Sequence, residues 1–594
     1  MTRGERIAWI WVCCAITVVI GAGAYAAWRY GSLPFLHLEA GLCRNSNEVR
    51  AAPACDRLLA TAGAPAELRA TALRRLAEMA ESRGDPKVAI ERLTALMALG
   101  HAAADDWNLR GLSYYSLRDY EKAAHDFAEA ARVNGAVGAY WSNIADAQIE
   151  MRKYAEAFDN YTTAMAKGYD TAELRGNRGW ASYRQGQYDK ALSDYDQAIA
   201  RDAQHADNLN ERGLVRHALG DYEDALADYD RSLTIKPDNA VILTNRAITH
   251  ARFGDAGKAR QDLDRAIAAD PQYASARLEK AWLLINGGDP EAALAEVKVI
   301  ADAGPLDVFA LEARSRARLQ LSDWTDVVAD TGQALALGST DDWPYEYRAL
   351  ARRALGDYDG SIADATVLIG RNPKNMRMLV TRAIAQHLAG RLAAALAEMD
   401  QAAKDETDPA YAYEIRSYLN LGAGRLAQAV ADARQSVALA PQSHYSAAQL
   451  GWALLFNGEP EAAATECGRS LAIIATPGAH ACRALAALAL GKPDAARADA
   501  GQALALDRTA SIAHLALGRV HLAEGNAAEA KQELDQALRL DTLNKPEILM
   551  YRGDAERALG NVAEARRFYQ EARTADLGLY GRALAARIAA LPGP

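Results

Sequence analysis

His514 and His521 stand seven residues apart, two turns along one helix face, and could present a pair of imidazoles to a metal ion. The other histidines are scattered along the chain, and both positions recur as packing positions in the pattern described below, so the pair reads as core or rim. No P-loop, G-x-S-x-G, H-E-x-x-H or paired C-x-x-C occurs. No catalytic residue, metal ligand or cofactor is therefore assigned, and the chain reads as a protein that is not an enzyme. Of the 6 cysteines, Cys13 and Cys14 sit inside an apolar run and behave as small hydrophobes, which leaves Cys43, Cys55, Cys467 and Cys482. An even number permits disulfides without requiring them. Cys467 and Cys482 are read as buried packing.

Half of the 594 residues are hydrophobic, 7% are aromatic and 24% are charged, a composition suited to close-packed helices. The formal net charge of -10, with acids and bases interspersed, offers no basic patch to neutralise phosphates, so nucleic acid is a poor partner. The run from Ile7 to Ala27 contains no charged residue and, as a helix, would reach about 31 Å, enough for a hydrocarbon core of about 30 Å. Trp9, Trp11 and Trp28 sit near its ends, and Arg3 and Arg6 before it outnumber Arg29 after it, which favours a cytoplasmic N-terminus. Residues 1–29 are thus expected to be a cytoplasmic tail and single-pass anchor, with the rest periplasmic at a bacterial inner membrane. Two alternatives stand beside this: Ala24-Tyr25-Ala26 resembles a signal-peptidase site, which would give a soluble periplasmic protein, and a tether could also leave the remainder in the cytosol.

The elements that must carry any function repeat. Gly186-Gln187-Tyr188, Gly220-Asp221-Tyr222 and Gly356-Asp357-Tyr358 are spaced by multiples of 34 residues, and the same turn position falls fifteen times between Gly84 and Gly560. Two helical patterns flank each turn. Seven residues before it every unit has a small side chain, as in Gly111, Ala145, Gly179 and Gly213. Five residues after it stands Ala in all units except Val327 and Ser361, and four further on comes a filler such as Phe127, Tyr161, Tyr195 or Tyr229. Small residues where helices touch allow close approach of their axes. Pro237, Pro271, Pro305, Pro373 and Pro441 close units, since proline cannot continue a helix.

This pattern resembles the tetratricopeptide repeat: Trp at position 4, small residues at 8 and 27, Ala at 20, an aromatic at 24 and Pro at 32. The resemblance implies an all-α, right-handed superhelical solenoid of about fifteen helix-turn-helix units. On this reading residues 30–69 are a linker and N-terminal cap, 70–577 the solenoid and 578–594 a C-terminal capping helix. Tetratricopeptide proteins of alphaproteobacteria, membrane-anchored or exported, carry a similar cysteine-bracketed segment before their repeats, and that resemblance suggests a Cys43–Cys55 disulfide. The departure is position 7, usually Leu, where Arg110, Arg178, Arg212, Arg246, Arg314, Arg348, Arg382, Arg416, Arg483 and Arg552 stand. Position 23 is mostly Asp, from Asp126 and Asp194 to Asp432 and Asp499, so a repeated Arg–Asp ladder is expected rather than an anion-binding stripe.

In this family the concave face is lined by first-helix positions 2, 5, 9, 12 and 13. Those positions supply Trp180, Trp282, Tyr418 and Trp452, with Tyr115 and Tyr183. Asn143, Asn177 and Asn245 at position 6 resemble part of an asparagine ladder that holds a peptide backbone. The Lys and Asn of the two-carboxylate clamp are missing from every unit, so chaperone tails are not expected. The function implied is a non-catalytic scaffold that binds peptide segments of envelope proteins in the groove, with no small-molecule substrate. A structural spacer with few ligand contacts is the alternative, and a regulatory subunit of an envelope enzyme or a glycosyltransferase-like enzyme follows behind.

Overall fold

The computed structural model describes residues 36–45, 47–405, 408–540 and 545–592. They fall into two compact units, Met1–Glu279 and Lys280–Pro594, the division lying within helix Ala274–Asn286. Every regular element among the described residues is an α-helix. In the first unit antiparallel pairs run from Ala66–Ser82 with Pro86–Ala98 to Ala240–Phe253 with Ala256–Ala269, and in the second from Val308–Gln320 with Trp324–Ala336 to Lys545–Ala558 with Val562–Ala575.

The hairpin turn explains the register. Its key residue is left-handed in every repeat: φ is +71° at Gly84 and +89° at Gly220, and also positive at Arg118, Arg152 and Ser322, where no glycine stands. The aspartates that follow, such as Asp85, Asp119 and Asp255, accept a hydrogen bond from the backbone N–H three residues on and start the second helix. The small residue at position 8 is required by the ring at position 24. A Cβ on Gly111 would lie 2.6 Å from Phe127, and one on Gly213 would lie 2.7 Å from Tyr229. Phe127, Tyr161, Tyr195 and Tyr229 are all buried where the two helices of a pair meet.

At the start, residues 36–45 and helix Glu48–Ala60 form the cap. Cys43 and Cys55 are joined, with Cα atoms 4.9 Å apart. Leu36, Ala51, Ala54 and Leu58 pack with Ala72 and Met79 of the first pair, which covers the apolar end of the stack. Replacing both cysteines by serine is expected to destabilise this cap by ~2–4 kcal/mol. Hydrogen exchange would report it as lost protection in residues 48–60 with distant pairs unchanged; equal protection in both proteins would show that the bridge contributes nothing. Cys467 and Cys482, read as separate packing residues, are also joined, with Cα atoms 6.1 Å apart, and so tie a second helix to the first helix of the next pair.

The first helix of the first pair begins at Ala66, and the final helix is Gly581–Ala589. Leu584 and Leu591 are buried against Phe568 and Tyr569 of the last pair. No helix among the described residues is long and apolar enough to cross a membrane, and the anchor expected over residues 7–27 lies outside those residues.

Candidate interaction surface

The arginines at position 7 are committed to structure. Arg212 donates from Nε and Nη2 to Asp228 at 2.8 and 2.6 Å, and Arg110, Arg178, Arg246, Arg314, Arg348 and Arg483 make the same fork onto the aspartate sixteen residues on. Arg382 meets Glu398 instead, and Arg552 turns to Asp535 and Glu556. The remaining Nη1 reaches back to the preceding repeat: Arg212 to Asp196, Arg246 to Asp230 and Arg416 to Asp400. The ladder thus links the two helices of most pairs and, at Arg212, Arg246 and Arg416, also ties a pair to the one before it by charge.

In the first unit the asparagines are engaged between successive first helices. Asn143 Nδ2 donates to Asn108 at 2.7 Å, Asn245 to Asn210 at 2.9 Å and Asn177 to Asp146 at 3.3 Å. Trp180 lies 5.4 Å from Tyr183 between ring centroids, Tyr183 continues to Tyr188 at 5.8 Å, and the Arg184 guanidinium covers Trp180. Tyr115 packs edge-on against Tyr120 at 5.2 Å, and burial pushes its hydroxyl up to about 12. All six residues are half-buried, and much of their contact capacity is spent on the wall itself.

Two carboxyls in this wall titrate unusually. Burial pushes Asp146 up to about 6 against the opposing hydrogen bonds of Tyr161 and Asn177, and pushes Glu211 up to about 7 against that of Tyr195. A carboxyl raised by folding binds its proton more tightly in the folded state, so its contribution to stability is complete below the unfolded value near 4 and is lost as pH rises through the folded one. The free energy of unfolding of the first unit is therefore expected to rise as pH falls from 8 to 5.5, by up to ~1.4 kcal/mol per pH unit for each carboxyl once pH is below its folded value. Glu211→Gln should flatten that slope in thermal melts, and an unchanged slope would place the titration elsewhere.

In the second unit Tyr418 and Trp452 come together, half-buried, on a cavity of about 710 Å³. Leu421, Gln449, Phe456 and His387 also line it, with the chain segment from Thr574 to Tyr580 crossing from the far end. Trp282, on helix Ala274–Asn286, is half-buried and does not line this cavity. The crossing segment is anchored: the backbone of Gly578 abuts Gly424, Leu579 packs into the Leu421, Leu450 and Leu454 cluster, the Tyr580 ring meets Phe456 at 6.2 Å, and its hydroxyl donates to Glu547 at 2.8 Å. Burial beside the Glu547 carboxylate pushes that hydroxyl far above its ordinary value. Leu577, Leu579 and Tyr580 were not singled out from the sequence, because Leu579 fits the start of an amphipathic helix and nothing in the sequence pairs Gly578 with Gly424. His514, set aside as a ligand, faces Glu533 at 2.6 Å.

The tetratricopeptide repeat family model matches residues 80–139, 108–173, 142–206, 177–240, 244–308, 348–412, 483–545 and 515–579, together more than half of the chain. The chain belongs to the tetratricopeptide repeat family, whose arrays act generally as scaffolds that bind protein or peptide partners and are typically non-catalytic. Among solved structures it is similar to a tetratricopeptide repeat protein from Parabacteroides merdae, at 20% identity over 42% of this chain and 98% of that one, with a TM-score of 0.37. It is similar also to the APC/C hetero-tetramer Cut9–Hcn1, at 14% identity over 85% of this chain and 98% of that one, TM-score 0.40. A third is YrrB, described as a TPR protein with an unusual peptide-binding site, at 19% identity over 32% and 98%, TM-score 0.28. No curated protein sequence matches the chain.

Proposed function

We propose that the protein is an adaptor of the bacterial envelope that takes a peptide segment of a partner into the groove of its second unit. The observation that carries this reading is the cavity at Tyr418 and Trp452. Two half-buried aromatic rings and apolar neighbours line a space the size of several side chains, and a stretch of polypeptide already lies along part of it. Aromatic rings anchor peptides because they offer large contact area with few torsions to freeze. Placement outside the cytoplasm, behind the anchor over residues 7–27, is supported by two cysteine pairs, since disulfides persist in oxidising compartments. The spacer reading applies best to the first unit, whose asparagines and Trp180 are bonded within the wall.

A photo-crosslinking residue in place of Gln449, which faces the groove, is expected to capture one defined partner segment in the native cell, while the same residue in place of the exposed Arg434 captures none. Equal capture from both positions, or none from either, would refute the groove. Protease accessibility of the repeats before and after outer-membrane permeabilisation tests the location; digestion only after the inner membrane is broken would overturn it.

A further inference from the structure

Residues 576–580 connect helix Val562–Ala575 to helix Gly581–Ala589, and the packing of those two helices asks nothing of the groove. Leu584 and Leu591 cover the end of the stack on Phe568 and Tyr569 by themselves. The connection nevertheless projects away from the last pair, braced by the Tyr580 N–H donating to Asp576 at 3.0 Å, and reaches the turn at Gly424, four hairpins back along the chain and within the same compact unit.

The approach there is backbone against backbone. A Cβ on Gly424 would lie 2.7 Å from the Gly578 carbonyl oxygen, and one on Gly578 would lie 3.1 Å from that of Ala423. The hairpin does not itself require glycine at this position, since Arg118, Arg152 and Ser322 hold the equivalent turns at φ of 59° to 62°. At Gly390, one hairpin earlier, an added Cβ would meet nothing within 4 Å. A side chain at 424 is therefore excluded by the strap rather than by the turn.

The hold on the strap is slight. Among the described residues no backbone hydrogen bond joins residues 576–579 to the helices they cross. Leu579 enters the Leu421, Leu450 and Leu454 cluster and the Tyr580 ring meets the edge of Phe456, while the Tyr580 hydroxyl is tied to Glu547 on the strap's own side. Leu577 stays exposed, and Tyr418 and Trp452 line the cavity that remains beside the strap. A short extended segment that inserts one leucine and one ring is how a bound peptide sits in an apolar groove.

We propose that residues 577–580 are an intramolecular ligand of the groove, displaced by a partner segment of the same chemistry: a small residue, then leucine, then an aromatic residue. The proposal rests on the groove reading above and adds the class of ligand and its regulation. A partner longer than the strap also covers Tyr418 and Trp452, which supplies the differential affinity that displacement needs. A tethered competitor acts at an effective concentration in about the millimolar range, and the apparent affinity of any free peptide falls by the fraction of molecules whose groove is open.

The test uses the full chain and a fluorescent, amidated peptide of residues 574–581, with a second peptide carrying alanine at the places of Leu579 and Tyr580. Gly424→Ser puts into this turn the residue that Ser322 already is in another, and Gly390→Ser is its control. By fluorescence anisotropy, Gly424→Ser is expected to bind the first peptide at least about tenfold more tightly than wild type or Gly390→Ser do, as follows if the strap leaves the groove open in fewer than about a tenth of molecules. The alanine peptide should bind none of them. Leu579→Ser, which frees the strap without touching the hairpin, should give the same gain. Equal affinity in all four proteins, or no binding by either released variant while its melting stays as in wild type, would make the strap a fixed part of the wall and overturn the proposal. Capture at position 449 separates this from the groove reading: a defined partner captured without any gain in peptide binding sinks the strap and leaves the groove, whereas a gain with no partner captured even from Gly424→Ser sinks the partner and with it the displacement.

Discussion

Asp228→Ala is expected to destabilise the first unit by ~3–5 kcal/mol, as removal of one partner from a buried ion pair does. Asp228 is 1% exposed and accepts from Arg212 Nε at 2.8 Å, Arg212 Nη2 at 2.6 Å and Arg216 Nη1 at 2.7 Å. Truncation leaves two guanidiniums facing an apolar void, and Arg212 is itself only 9% exposed. Asp196 would still hold Arg212 Nη1, which sets the estimate below that for a fully orphaned charge. The comparison that isolates the cause is Asp228→Leu combined with Arg212→Met, expected to recover much of the loss because a well-packed apolar pair replaces the ion pair. Because each pair contacts chiefly its neighbours, urea unfolding followed by circular dichroism should split into an early local transition and a later one. A loss below about 1 kcal/mol would mean the ladder is screened like a surface salt bridge.

Trp452→Ala is expected to weaken binding of the segment captured through position 449 by about thirtyfold, roughly 2 kcal/mol, with a small change in melting. Its ring stacks on Phe456 at 6.3 Å and borders two apolar clusters while remaining half-buried on the cavity, so truncation removes contact surface together with some packing. Trp180→Ala makes the informative contrast. That ring is held between Tyr183 and Arg184, and its removal should lower the melting midpoint and leave affinity for the same segment intact. If Trp452→Ala behaves like Trp180→Ala, the tryptophan is wall filling and the binding face lies elsewhere.

The hairpins were legible because each local requirement leaves its own mark. A left-handed turn selects glycine, a ring at position 24 demands a small residue at position 8, and a fifteenfold recurrence makes the register unambiguous where one copy would not. The Arg–Asp pairing was legible for the same reason. The groove was less so. Position within a repeat says which side chains face inward, but not that Asn143 and Asn245 are consumed by Asn108 and Asn210 on the preceding helix. Nor can a periodic reading find contacts between residues far apart in the array, such as Gly578 on Gly424.

The arginine ladder also bears on how such a chain can change length. Arg212, Arg246 and Arg416 each meet one acid sixteen residues ahead and another sixteen residues behind. Excising one whole repeat between Asp196 and Arg246 would bring Arg246 to the place of Arg212, where Asp196 already waits in the correct geometry. Duplication of a repeat would likewise create a new arginine flanked by both of its acids. Over this stretch the charge pattern is therefore unchanged by translation of one unit, so gain or loss of one of these repeats by unequal recombination leaves its buried ions matched. Insertions that are not whole repeats break it at once. Selection on the ladder alone would hold the period near 34 residues while leaving the number of repeats free to drift.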